Sequence, residues 1–102
     1  MKAKQSSGYS AEVAKIYVPD GTEVVLLSTK VKKQVKWVDG KPTTEVTGYK
    51  VLCGMPDDVF TVKFSKPVSL PQFCSRIKFK GLEACEVANN IYFRAEDLEE
   101  AK

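Results

Sequence analysis

Val35-Lys36-Trp37-Val38-Asp39-Gly40-Lys41-Pro42-Thr43-Thr44-Glu45-Val46-Thr47-Gly48-Tyr49-Lys50-Val51, followed after a short break by Val59-Phe60-Thr61-Val62-Lys63-Phe64, decides the fold of this chain. Asp39-Gly40 between two apolar-patterned runs predicts a hairpin, because glycine takes positive φ without strain. Pro42 has no N–H for a ladder, so it belongs in the connection or at a strand edge. The pattern predicts three consecutive antiparallel strands over 26–38, 45–53 and 59–65. Phe60, Val62 and Phe64 alternate with Val59, Thr61 and Lys63, which sets one buried face and one wet face.

Working outward, the first of these strands alternates cleanly until Lys33 interrupts its apolar side, which predicts a bulge or bend near Lys32-Lys33. Gly48 inside the second strand predicts a bend or a close approach by another group. Upstream, residues 1–9 read as a loosely attached arm. Residues 10–15 read either as a helical turn capped by Ser10 or as the start of a strand ending Ile16-Tyr17-Val18. Pro19-Asp20-Gly21 is a turn. Downstream, Ser69–Cys74 fits one helical turn packed by Leu70 and Phe73. Arg76–Lys80 alternates as a fourth strand, 82–87 is mixed, Asn89-Asn90 is a turn, and 91–95 is the last strand.

Three meandering strands, a helical turn and two more strands predict an all-β protein. The expected form is a five-stranded oligonucleotide-binding (OB-fold) barrel with one short helical turn between strands three and four. An SH3-like small barrel is the alternative. The predicted organisation is an N-terminal arm or first short element over 1–22, a barrel over 23–98 and an acidic tail end over 99–102.

The 102 residues suit one domain with its own core. No apolar run reaches the ~18 residues of a membrane span, and Met1–Gly8 lacks an apolar signal core, so a cytoplasmic protein is expected. Cys53, Cys74 and Cys85 are widely spaced and there is no histidine, so zinc chemistry lacks its ligand set and reduced thiols with no intrachain disulfide are expected. No phosphate-binding glycine loop is present, and Asp57-Asp58 sit in a Pro-Asp-Asp turn. The expectation is a non-enzymatic protein with no metal and no cofactor. Residues 96–102 hold four acids and one base, net −3, which against +3 overall leaves +6 on residues 1–95. Such a body attracts polyanions, and an acidic tail can compete for the same basic surface.

Lys30, Lys32, Lys36, Lys50, Lys63, Arg76, Lys78, Lys80 and Arg94 fall at predicted outward positions. Trp37, Tyr49 and Tyr92 are the aromatics placed to be partly exposed, though Trp37 and Tyr49 also suit a core. Cations that track phosphates and aromatic faces that stack bases are the two parts of a single-strand binder. The nucleic-acid-binding candidates are Lys32, Lys36, Trp37, Tyr49, Lys50, Lys63, Arg76, Lys78, Tyr92 and Arg94. Tyr49 and Lys50 point opposite ways on a regular strand, so one of them is structural unless Gly48 bends the chain.

The succession Val38-Asp39-Gly40, Thr44-Glu45-Val46, Tyr49-Lys50-Val51, Thr61-Val62-Lys63, Pro67-Val68-Ser69-Leu70-x-x-Phe73, Ile77-x-Phe79 and Tyr92-Phe93-Arg94-Ala95-Glu96-Asp97-Leu98 resembles a family of small proteins of Gram-positive conjugative elements and plasmids. That family, formerly a domain of unknown function, includes a helicase processivity factor and is described as similar to single-strand-binding folds. The resemblance covers about residues 24–98. It implies a single-stranded-DNA-binding or helicase-accessory role in plasmid or conjugative-element replication, with a helicase or relaxase as protein partner. The alternative is a protein-binding adaptor of a replication or conjugation complex with little DNA affinity.

Overall fold

The computed structural model describes residues 8–101 as one helix, α1 (Ala11–Tyr17), and eight strands. The strands are β1 (Val24–Leu26), β2 (Lys32–Val38), β3 (Lys41–Met55), β4 (Asp58–Phe64), β5 (Arg76–Lys80), β6 (Glu83–Val87), β7 (Asn90–Arg94) and β8 (Asp97–Glu100). They form one sheet in the order β6-β7-β4-β3-β1-β5-β8, with β2 added to β3. Every pairing is antiparallel except β4 with β7.

The Asp39-Gly40 hairpin forms as the residues dictate. Both take positive φ, 54° and 77°, which matches the twist of the two flanking strands. Beyond it β3 holds three more residues than β2 between Gln34↔Gly48 and Val38↔Lys41, and the surplus is taken up in two bulges. Thr47 Oγ1 and Thr43 Oγ1 stitch those bulges by donating to Gln34 O (3.2 Å) and Lys36 O (2.7 Å). Pro42 sits opposite Trp37 where β3 has no other neighbour, so its missing N–H costs nothing.

The expected strand over 26–38 is divided. Leu27 N–H still donates to Leu52 O at 2.9 Å, but Leu52 N–H goes to Ser28 Oγ at 2.7 Å instead of a backbone carbonyl. A serine hydroxyl that replaces the ladder acceptor lets the backbone leave the sheet. The chain rejoins β3 as β2, so β1 and β2 share one edge of that long strand.

Ser10 decides the start of the chain in favour of a helix. It is extended (φ −146°) and its Oγ accepts from Val13 N–H at 3.1 Å, with Glu12 in the first turn and Lys15 in the last. Seven residues are too few to hold alone. Ser10 therefore exchanges two backbone hydrogen bonds with Ala84, at 2.9 and 3.0 Å, which seat α1 against β6. The rest of the expected arm, residues 1–7, lies outside the described residues.

The expectation of a closed five-stranded barrel, OB-like or SH3-like, is corrected to an open eight-stranded sheet. The split of the first strand, a separate β6 after Gly81 (φ 66°), and an eighth strand account for the difference. No helical turn forms between the third and fourth expected strands. Ser75 N–H donates to Gln72 O at 3.0 Å in a single turn with Cys74 at φ 72°. The acidic segment is not a free tail. Asp97–Glu100 pairs with β5 and Leu98 is buried.

Leu26, Val51, Cys53, Val62 and Phe64 are fully buried, and Phe60 packs its ring 4.9 Å from Phe93 and 6.3 Å from Phe79. Burial pushes the Cys53 thiol up to about 12. Cys85 is also buried, whereas Cys74 is exposed. A disulfide reagent is expected to titrate one thiol in the native protein and all three after unfolding, with the same total after prior reduction. Extra thiols released by reduction would contradict this.

Ala88 holds φ 55° in the two-residue link between Val87 and Asn90, which pair directly. A Cβ in that region is strained. Ala88→Gly is expected to raise stability by about 0.5–1 kcal/mol, net of the entropy glycine adds to the unfolded chain. Urea denaturation checks it.

Candidate nucleic-acid interface

Register across the sheet brings distant residues into line. Lys32 pairs with Lys50, Lys50 with Lys63, and Lys63 with Arg94. Directly paired residues share a face, so four cations from β2, β3, β4 and β7 form one transverse row. Lys50 and Lys63 are half-buried, whereas Lys32 and Arg94 are exposed. Alternation puts Gln34, Gly48, Leu52, Val59, Thr61 and Tyr92 on the same side as the row. Tyr92 is 47% exposed. The opposite side carries Val51, Val62, Phe64 and Phe93 and is the core.

Like charges set opposite one another repel at close range. Among the described residues Lys32, Lys50 and Lys63 have no carboxylate within ion-pair distance. Arg94 ends the row and is held twice. Its Nε donates to Glu83 Oε1 at 2.8 Å, and its guanidinium lies 4.2 Å from the centre of the Tyr9 ring. Burial, then the neighbouring Cys85, raises the Tyr9 hydroxyl above its ordinary value.

Gly48 is where the row gains its shape. A Cβ built on it would lie 2.6 Å from Lys63 Cε and 3.3 Å from Phe64 O. The Lys63 methylenes therefore lie against β3 at Gly48. The predicted close approach at this glycine is thus a lysine side chain.

The parity of Tyr49 and Lys50 is resolved in favour of Lys50. Tyr49 pairs with Phe64 and packs half-buried against the core, so it does not join the row. Lys36 and Trp37 stand out on the β2–β3 hairpin, Lys36 within the second bulge and Trp37 beyond it, 63% exposed. Arg76 and Lys78 lie at the far end of the sheet and are engaged by acids. Arg76 Nη1 is 3.0 Å from Glu23 Oε2, and Lys78 Nζ is 3.2 Å from Glu99 Oε2. Of the ten candidates, Lys32, Lys50, Lys63, Tyr92 and Arg94 come together.

Sequence reasoning missed Tyr9, Gln34 and Thr61 on this face. Gln34 shares the parity of Lys32 and Lys36, but its polar side chain carried no charge signal. Tyr9 falls in the expected arm, and the Ser10–Ala84 bridge brings it beside Arg94. No helix among the described residues is long and apolar enough to cross a membrane. Comparison with protein-family models, curated proteins and solved structures gives no match.

Proposed function

We propose that this chain is a non-enzymatic module that binds single-stranded DNA across the open face of β3, β4 and β7, as an accessory to replication or transfer of a bacterial plasmid or conjugative element. The observation that carries the binding reading is the Lys32-Lys50-Lys63-Arg94 row beside the exposed Tyr92 ring. A cationic track next to an aromatic face is what a flexible strand with exposed bases requires. The mobile-element setting and a helicase or relaxase partner rest on the sequence resemblance. A cytoplasmic location fits the same role.

The test is a titration of the protein into a labelled single-stranded oligonucleotide at two salt concentrations. Binding that weakens steeply with salt supports the reading. No binding at low salt overturns it.

One observation favours a second reading, the protein-binding adaptor. The β2–β3 hairpin exposes Trp37, Val38 and Val46, on both of its faces. These apolar side chains suit a protein contact, whose affinity would change little with salt. Trp37 is the only tryptophan, so its fluorescence reports on that hairpin directly.

A further inference from the structure

Two clefts flank the cation row at Lys63, one of about 660 Å³ and one of about 510 Å³. Thr61, two residues before Lys63, lines the larger together with Tyr92, and Ser65, two residues after it, lines the smaller, so the clefts lie on either side of the row. Both sizes are within the range of sites that take small organic groups. Tyr9 and Lys63 are the two residues that line both clefts, and together they form the wall between them. Tyr9 is half-buried and fixed in place. The next residue, Ser10, is bridged to Ala84, and the Arg94 guanidinium covers one face of the Tyr9 ring, 4.2 Å from its centre. The other face and the ring edges are left to the clefts. Lys63 has no carboxylate within ion-pair distance among the described residues. Glu83 and Glu96 line the smaller cleft, where their carboxylates repel phosphate.

We infer that the two clefts take two consecutive bases of one strand, with the phosphate that joins them on Lys63 and Tyr9 as the partition between the bases. The inference rests on the single-strand reading above. It adds a binding residue, Tyr9, and makes a pair of adjacent bases the unit that is recognised. Consecutive nucleotides are joined by one phosphate, and the wall between the clefts supplies one free cation and one aromatic ring. The acids of the smaller cleft admit an uncharged base and keep the backbone at Lys63. In the larger cleft the base has Tyr92 beside it. Contacts with aromatic rings add affinity for any base, so this arrangement does not choose between sequences.

Thymidine oligonucleotides of one length test this by fluorescence anisotropy. Two of them have half of their thymines replaced by abasic sites, in one as a single block and in the other at every second position. The block oligomer keeps adjacent bases and is expected to bind about fivefold tighter than the alternating one, with equal salt slopes, because the phosphates are the same. That comparison uses the unaltered protein and decides the matter even where a variant does not fold. Tyr9→Ala is expected to weaken binding of the full thymidine oligomer about tenfold, and Tyr9→Phe to retain it. Neither is expected to change binding of a fully abasic oligomer, which a tyrosine that only braced Arg94 would do. Equal binding of the block and alternating oligomers, or a Tyr9→Ala loss of the same size with and without bases, overturns the paired clefts and leaves single-strand binding standing. Absence of binding to every oligomer at low salt overturns the underlying reading and this inference with it.

Discussion

Lys50→Ala combined with Lys63→Ala is expected to weaken single-stranded DNA binding about tenfold or more and to flatten its salt dependence by ~0.7 in slope per lost contact. The two lysines are neighbours in the middle of the row, and neither has a carboxylate partner among the described residues. Their charge is available to phosphate. Arg76→Ala combined with Lys78→Ala removes the same formal charge, but from side chains already facing Glu23 and Glu99. That pair is expected to change affinity and slope far less. The contrast separates a located site from a general attraction of a basic body for a polyanion. Equal losses from the two double variants would sink the row as the binding surface. Because all four side chains are substantially exposed or half-buried, neither double variant is expected to unfold the protein.

Leu98→Ala is expected to destabilise the fold by about 2–5 kcal/mol, a large share of the ~5–15 kcal/mol that holds a domain of this size. Leu98 is 5% exposed and lies opposite Phe79, whose ring approaches Phe60. Truncating it opens a cavity beneath the last strand. Glu99→Gln is expected to cost little, since its pair with Lys78 is solvent-exposed. Thermal or denaturant unfolding checks both. A negligible effect at Leu98 would mean that the acidic segment does not dock as a strand.

How much of this was legible depends on the range of the interaction that decides each feature. Asp39-Gly40 and the Phe60-Val62-Phe64 alternation are local, and the structure follows them closely. The cap at Ser10 was visible as one of two options, and its exchange with Ala84 chose between them. The break at Leu27–Val31 was not visible. It turns on a hydroxyl from Ser28 finding Leu52 N–H, a tertiary event that leaves no periodic trace. The acidic end reads as a tail because charge dominates it. A single buried leucine and the cations opposite make it a strand. Five of the ten site candidates gather because strand parity identified outward positions correctly. That Arg94 and Tyr92 join the lysines depends on the β4–β7 pairing, and the sequence carries no local mark of it.

That parallel pairing also fixes when the surface can exist. Lys50 and Lys63 come together as soon as the β3–β4 hairpin closes around Pro56-Asp57. Arg94 reaches them only once β7, on the far side of β5 and β6 in the chain, has returned alongside β4. Such a long loop must be closed before its contacts repay the entropy, so this join is expected late in folding. A chain still emerging from the ribosome therefore carries the lysines without the arginine, its Glu83 partner or the Tyr9 ring fixed beside it. Maturation of the surface and completion of the sheet become one event.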